Sequence, residues 1–511
     1  MIHFLLNDRP VQIDQQAPDI NILNWLRTKI GNTSSKEGCG TGDCGACTVL
    51  VGSEITDKNN NSHWHYQTVN GCLMLLGNLH GKHIITPDAL TIQANPVLQD
   101  LHPVRRAMVE CHGSQCGFCT PGFIMSMLAL YINNTEYPGK KAVIHALGGN
   151  LCRCTGYSPI LKAVEKSYQY PRQQELWSAR AIEFKKQLNE LDSDVAINVP
   201  SLTQHNAVFY VPQNLSDLLT LKQRYPSGKL VAGATDLSIE LSQDLLEINT
   251  FISVAQVKEL CEFEETQDSF SIGATLPYSE FTGPFTKHYP EAKELFERLG
   301  STQIRNSGTL GGSLANASPI GDPAPLLIAL NAQLVLQSLN STRTIAVEDL
   351  FVGYRQTSLK EDEVIATIII PKPKTSSKLA CHKVSKRFED DISTVSLIIA
   401  LETDNSNISS VRCAMGGMSA TPARAKHIEN FLKDNEFTVS TFIAASEFIE
   451  KDFSPMSDVR ASAYYRITVA QNLLQRVGYE FCQPINIKQV GDTAHQHAQK
   501  NIAMRINHAA L

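Results

Sequence analysis

The sequence predicts a mixed α+β protein of several domains rather than one. Three observations carry that expectation. At 511 residues the chain is long enough for roughly three to five separate cores. Its apolar pattern changes near residues 86 and 200, from short strand-like runs to helical spacing and then to alternating strands and helices. Nine of the thirteen cysteines fall between Cys39 and Cys154, and only four are scattered over the rest.

Taken in order, residues 1–85 read as β-rich: HFLLN and VQID flank a DRP turn, and Gly/Asn-rich stretches punctuate the remainder of that segment. Residues 86–168 read as helical. Pro121 and Gly122 stand just before the FIMSMLALYI run, as at a helix start, and KKAVIHALGGNLCRCTGYSPILKAVEKSY reads as two helices interrupted by a Gly/Cys turn. Residues 169–200 are polar and poor in aliphatic clusters, which predicts a linker with one solvated helix. Over 201–373, strand-length segments such as KLVAGATDLSIEL, TFISVAQV and AQLVLQSL have Gly or polar boundaries. Residues 378–483 add strand pairs from KVSKRFEDDISTVSLIIAL through VRCAMGGMSATPARA, then helices in TFIAASEFIEKDF and ASAYYRITVAQNLLQRVG. Residues 484–511 show no pattern and read as a loosely held tail.

Lys plus Arg number 45 against 51 Asp plus Glu, with no basic run, so no nucleic-acid partner is expected. No apolar run reaches the roughly 18 residues of a membrane span. The start, MIHFLLNDRPVQID, carries an acid and an Arg where a signal peptide needs apolar residues, so the expected location is cytoplasmic. An odd cysteine count in such a chain argues for metal rather than disulfides.

Cys39, Cys44 and Cys47 lie in KEGCGTGDCGACTVL, with Cys72 further on. Spacing of C-x4-C-x2-C plus a distant fourth Cys is the plant-ferredoxin arrangement for a [2Fe–2S] cluster. Gly38, Gly40, Gly42 and Gly45 let the loop curl and bring N–H groups to the sulfurs. The alternative is zinc, which usually takes two C-x2-C pairs. Cys116 with Cys119, and Cys152 with Cys154, form a second set at turns entering helices, suited to another four-thiolate cluster. Cys111 reads as a spare buried thiol, and His112 beside it as a weak Rieske-type alternative. Cys261, Cys381, Cys413 and Cys482 have no partner at ligand spacing and read as core residues. Past residue 200 neither a Rossmann fingerprint nor a P-loop occurs. Instead KLVAGATDLSIEL, turning at Gly233, and GTLGGSLANASPIGDPAP offer bare N–H groups and small hydroxyls fit for a pyrophosphate, though either can be an ordinary turn.

On these residues the chain resembles a family. SKEGCGTGDCGACTVL, GSQCGFCTPG and GNLCRCTGY resemble the iron–sulfur module of the molybdenum hydroxylases. LVAGATDL, STQIRNSGTLGGSLANASPIGD and KVSKRFEDDIS resemble the FAD domain of its xanthine dehydrogenase branch. The match runs over about 1–170 and 202–480 and is similar to the small, iron–sulfur/FAD subunit of bacterial members. The resemblance implies a β-grasp ferredoxin-like domain, a four-helix iron–sulfur domain, a vanillyl-alcohol-oxidase-type FAD domain and a small α+β C-terminal domain. It implies Cys39, Cys44, Cys47 and Cys72 as ligands of one cluster and Cys116, Cys119, Cys152 and Cys154 of the other, with Gln115 within reach of a partner's pterin. FAD contacts carry over to Leu230, Val231, Ala232, Gly233, Ala234, Thr235, Asp236 and Leu237, and to Leu299, Thr309, Leu310, Gly311, Gly312, Ser313, Asn316, Asp322, Ile365 and Lys383. Leu299 stands where animal relatives have an aromatic residue.

No segment resembles a molybdopterin domain, so the expected partner is a molybdopterin-binding large subunit, in a heterotetramer of two small and two large chains. The implied function passes electrons from hypoxanthine or xanthine oxidation through two [2Fe–2S] clusters to FAD and NAD+. Glu389, Asp390 and Asp391, with Tyr354, are the expected NAD+-side residues, and their negative charge is expected to deter superoxide-producing chemistry. The alternatives are an aldehyde or other N-heterocycle hydroxylase, or a stand-alone flavin-dependent NADH reductase.

Overall fold

The computed structural model describes residues 1–483 except 57–61, 92–95, 173–174, 176, 178–182, 185, 187–199, 205–206, 244–246 and 405. Strand β1 (Ile2–Leu6) buries Ile2, Phe4 and Leu5 and turns through Asn7, at a left-handed φ of 55°, into β2 (Arg9–Ile13). β3 (Thr48–Thr56) and β4 (Ser62–Asn70) form a second antiparallel pair. β5 (His83–Ile85) joins the two, parallel to β1 and antiparallel to β3, in the order β2-β1-β5-β3-β4. Helix α1 (Ile22–Thr28), capped by the Asn21 side chain, packs Ile22, Trp25 and Leu26 against this sheet. This is the expected β-grasp.

The helical unit is α2 (Pro103–Glu110), α3 (Thr120–Asn133), α4 (Lys140–Leu147) and α5 (Ser158–Ser167), with Pro121 in the first turn of α3 as its sequence predicts. α3 buries residues on all sides, Phe123, Met125, Met127, Leu128 and Tyr131 among them, because it is the core of the unit. A Cβ on Gly122 would lie 2.1 Å from the Gly45 carbonyl, so α3 meets the first cysteine loop backbone to backbone.

Most of 169–200, and all of 484–511, lie outside the described residues. Where 169–200 is described, the expectation of a solvated linker needs correction. Trp177 is buried in the helical core, Glu175 meets His102 at 3.3 Å, and Phe184 is buried on Leu5, so apolar anchors hold this segment to both preceding domains.

Beyond Pro200, one sheet orders Ser201–Gln204, Ala207–Tyr210, Thr250–Ser253 and Lys229–Val231, its last three strands parallel. KLVAGATDLSIEL, read as strand-length, is strand only to Val231; Leu237–Ser242 is helical. An antiparallel sheet comes next in the chain: Phe263–Glu265, Ser269–Gly273, Val364–Pro371, Gln333–Gln337 and Thr342–Ala346. The C-terminal unit is a meander of Ser377–Val384, Val395–Asp404, Asn407–Gly416 and Ala423–Arg424, covered by helices that include Val439–Ser446 and Ala463–Cys482. Among the described residues no helix is long and apolar enough to cross a membrane.

Candidate functional site

The first cysteine loop is wound by its glycines. Gly40, Gly42 and Gly45 have φ of 70°, 85° and 68°, and a Cβ on Gly38 would come 2.7 Å from Cys44 Sγ. The N–H groups of Thr41 and Cys44 consequently approach Cys39 Sγ at 3.4 Å, and that of Cys39 approaches Cys44 Sγ at 3.3 Å. Cys47 and Cys72 Sγ lie 3.3 Å apart, and Cys116 and Cys154 Sγ 3.6 Å apart, too far for a disulfide.

The thiols hydrogen-bond in twos. Hydrogen bonding from Cys44, with Thr41, pulls the Cys39 thiol down to about 4, while the same bond pushes Cys44 up. Cys72 likewise lowers Cys47 and is itself raised. Burial, with Cys152, lifts Cys119 to about 12; at Cys152 burial is outweighed by Thr155 and nearby N–H groups, which hold it at about 7. Each iron of a [2Fe–2S] cluster takes two protein thiolates, so a two-by-two arrangement suits that group, whereas one zinc ion needs its ligands converging on a point. Among the described residues no three His, Cys, Asp or Glu converge in that way.

Elsewhere, Cys111 is half-buried rather than buried and His112 is exposed. Cys413 is buried, but Cys261, Cys381 and Cys482 are half-buried, Cys261 Sγ lying 3.2 Å from Thr275 Oγ1. Gln115 is exposed beside Cys116.

The two phosphate-fit stretches face each other across a cavity of about 790 Å³. It is lined by every residue of Leu230–Leu237 and by Leu299, Thr309, Gly311, Gly312, Ser313, Asn316, Asp322, Ile365 and Lys383. Leu310 is the exception: its side chain is buried in the core behind the wall. Ala234 adopts a left-handed φ of 57°. Among the described residues no acceptor takes a hydrogen bond from the N–H of Gly233, Ala234, Thr235 or Asp236. Such a run of free N–H groups in a turn is a nest for an anion, and it fits a pyrophosphate. A Cβ on Gly233 would sit 1.7 Å from the Ser307 carbonyl, and one on Gly311 2.6 Å from Ala274, so the two loops close to a spacing only glycine permits.

At the other end, Lys383 Nζ meets Asp322 Oδ2 at 2.6 Å, and Ser393 donates to Asp322 Oδ1. Arg298, also buried, donates to the carbonyls of Lys383 at 3.0 Å and Phe388 at 2.8 Å, fixing the RFEDDIS loop. Asp390 and Asp391 line the cavity there. Asp390 takes a φ of 51°, and burial, followed by the charge of Asp43, lifts its carboxyl to about 6. Glu389 is not among the lining residues; its carboxylate lies toward Gly148 of the helical unit. Tyr354 does not line the cavity either, being 60% exposed at a hairpin tip.

Sequence reasoning missed Asp43, Tyr278, Ile304, Glu363 and Arg460 in the lining. Asp43 has the most consequence, because it belongs to the Cys39–Cys47 loop and joins that loop to the cavity.

Three family models match in order. Residues 91–165 match a [2Fe–2S] binding domain, 203–373 an FAD binding domain in molybdopterin dehydrogenase, and 380–481 a CO dehydrogenase flavoprotein C-terminal domain. The chain therefore carries [2Fe–2S]- and FAD-binding domains. It is 31% identical to a xanthine dehydrogenase of Emericella nidulans, covering 95% of this chain and 39% of that protein. It is 31% identical to xanthine dehydrogenase 1 of Arabidopsis thaliana, over 85% and 36%. Aldehyde oxidase 3 of Rattus norvegicus is 27% identical over 84% and 35%. The chain thus spans under two-fifths of the length of these relatives. In fold, a chain of carbon monoxide dehydrogenase from Hydrogenophaga pseudoflava covers 56% of this chain and all of its own length, with TM-score 0.52 and 24% identity. The chain belongs to the molybdenum hydroxylase family.

Proposed function

We propose that this chain is the electron-transfer part of a xanthine dehydrogenase, carrying electrons from a molybdopterin partner that oxidises hypoxanthine or xanthine to urate, on to NAD+. The supporting observation is a continuous path of contacts. The Leu151 N–H, beside Cys152, bonds the Cys44 carbonyl at 3.0 Å, and Asp43, beside Cys44, lines the cavity. Cys116, Cys119, Cys152 and Cys154 would hold the outer cluster and Cys39, Cys44, Cys47 and Cys72 the inner one. The nest at Gly233–Asp236 and the 309–313 turn would hold FAD. When bound, the clusters pass single electrons and FAD joins them to hydride chemistry with a nicotinamide.

This chain's own residues do the rest. The loop N–H groups stabilise charge on the sulfurs, Lys383 and Asp322 hold the cavity rim, and Asp390 orients the cationic nicotinamide ring of NAD+. The partner is a large chain, in a heterotetramer of two of each, docked where Gln115, Cys116 and Cys154 are exposed. An aldehyde-oxidising partner is the second reading, favoured only by the likeness to aldehyde oxidase 3. The purified chain should pass electrons from NADH to an artificial dye and should not oxidise hypoxanthine until the partner is added. Purine oxidation by the chain alone would reject the division of labour.

A further inference from the structure

Three domains meet at one buried amide. Gln303, 1% exposed, stands on the short helix Thr302–Arg305 of the FAD-binding domain. Its Nε2 lies 3.1 Å from Asn150 Oδ1 of the helical unit, and 3.4 Å from both Ser126 Oγ and Thr48 Oγ1, the latter in the β-grasp unit. Asn150 extends the network: it accepts from Ser126 at 2.6 Å and donates to the Gly45 carbonyl at 3.1 Å. Thr48 also donates to that carbonyl, at 2.6 Å.

All members but Ser126, which stands on α3, adjoin a redox loop or the cavity wall. Asn150 precedes Cys152 by two residues, Gly45 and Thr48 flank Cys47, and Ile304, next to Gln303, lines the FAD cavity. A Cβ on Gly42 would lie 3.3 Å from Ile304 Cδ1, so the residue after Gln303 also packs on the inner cysteine loop. A Cβ on Gly149 would meet Gln303 Oε1 at 2.2 Å, so the helical unit's turn closes directly over the amide.

We propose that Gln303 is the positioning residue that sets the spacing of the three redox centres, holding both cysteine loops and the FAD wall in register through one hydrogen-bonded junction. Electron transfer between centres falls off with their separation, and a buried amide hydrogen-bonded to both other domains holds that separation better than an apolar contact able to slide. Gln303 touches neither cysteines nor cavity; it acts through Asn150, Thr48 and Ile304.

The inference rests on the two-cluster reading, and the test separates the two. The full chain is prepared as wild type, Gln303→Met, Ser126→Ala and Gln256→Met. Gln256 is the control: it also bridges domains, donating to the carbonyls of Asn78 at 3.2 Å and His80 at 2.8 Å, but away from both cysteine loops. Iron, sulfide and FAD are assayed in each, and the dithionite-reduced proteins are compared by electron paramagnetic resonance for the magnetic splitting between the clusters. Gln303→Met should keep its cofactors yet show a shifted or broadened splitting, with Ser126→Ala showing the same in lesser degree and Gln256→Met matching wild type. An unchanged splitting in Gln303→Met at full cofactor content would overturn the proposal, as would an equal change in Gln256→Met. If Gln303→Met loses its cofactors, Ser126→Ala decides: a wild-type splitting there rejects positioning. Iron missing from the wild type would instead sink the two-cluster reading itself.

Discussion

Replacing Lys383 with Met tests whether the cavity rim is held by a buried ion pair. The two side chains are 2% and 7% exposed, 2.6 Å apart, and join the FAD-binding domain to the C-terminal unit. Removing one member of such a pair leaves a buried charge uncompensated, which costs about 3–5 kcal/mol. Asp322 keeps the Ser393 hydroxyl, which offsets part of that cost, so the lower end, about 3 kcal/mol, is expected even though the Arg298 carbonyl also loses its bond from Lys383. With a urea slope of about 3 kcal/mol per molar, the midpoint of flavin release should fall by roughly 1 M. Flavin fluorescence during urea titration reads this directly. Lys383→Met combined with Asp322→Asn removes both charges and should recover at least half the loss. A single-variant loss below about 1 kcal/mol, or no recovery in the double, would refute the argument.

The same geometry carries further expected outcomes. Gly233→Ala should abolish FAD retention while leaving iron content unchanged, because its Cβ would fall 1.7 Å from the Ser307 carbonyl; flavin and iron assays check it. Cys47→Ser should lower iron from about four to about two atoms per chain, measured by elemental analysis. The Asp390 carboxyl, at about 6 when folded against an ordinary 3.8, binds more protons in the folded than in the unfolded chain across that window. Stability at Asp390 is therefore lost as pH rises through about 6, so Asp390→Asn should stabilise the chain at pH 8 and change little at pH 4, read by urea midpoints. Asp390→Ala should reduce NAD+ turnover more than dye turnover; equal losses would reject its orienting role.

Local chemistry was legible in the sequence, and long-range neighbours were not. The glycine-wound cysteine loop and the start of α3 at Pro121 depend on residues a few positions apart, where backbone sterics dominate. The tight turns at Gly233 and Gly311 were legible for the same reason. That they close on Ser307 and Ala274 was not, since those contacts cross between elements. Leu310 shows the limit of carrying over a motif: its neighbours Thr309 and Gly311 line the cavity while its own side chain turns to the core. Trp177 and Phe184 were hidden in a polar stretch because single apolar anchors make no periodic signal. Asp43 and Gln303 carry no local mark at all; their roles exist only once the domains meet.

Chemical analysis of the purified chain, with its visible spectrum, decides whether it carries two [2Fe–2S] clusters and FAD. About four iron and four sulfide per chain, one FAD, and overlapping flavin and iron–sulfur absorption are expected. A colourless protein, or zinc in place of iron and sulfide, would contradict it.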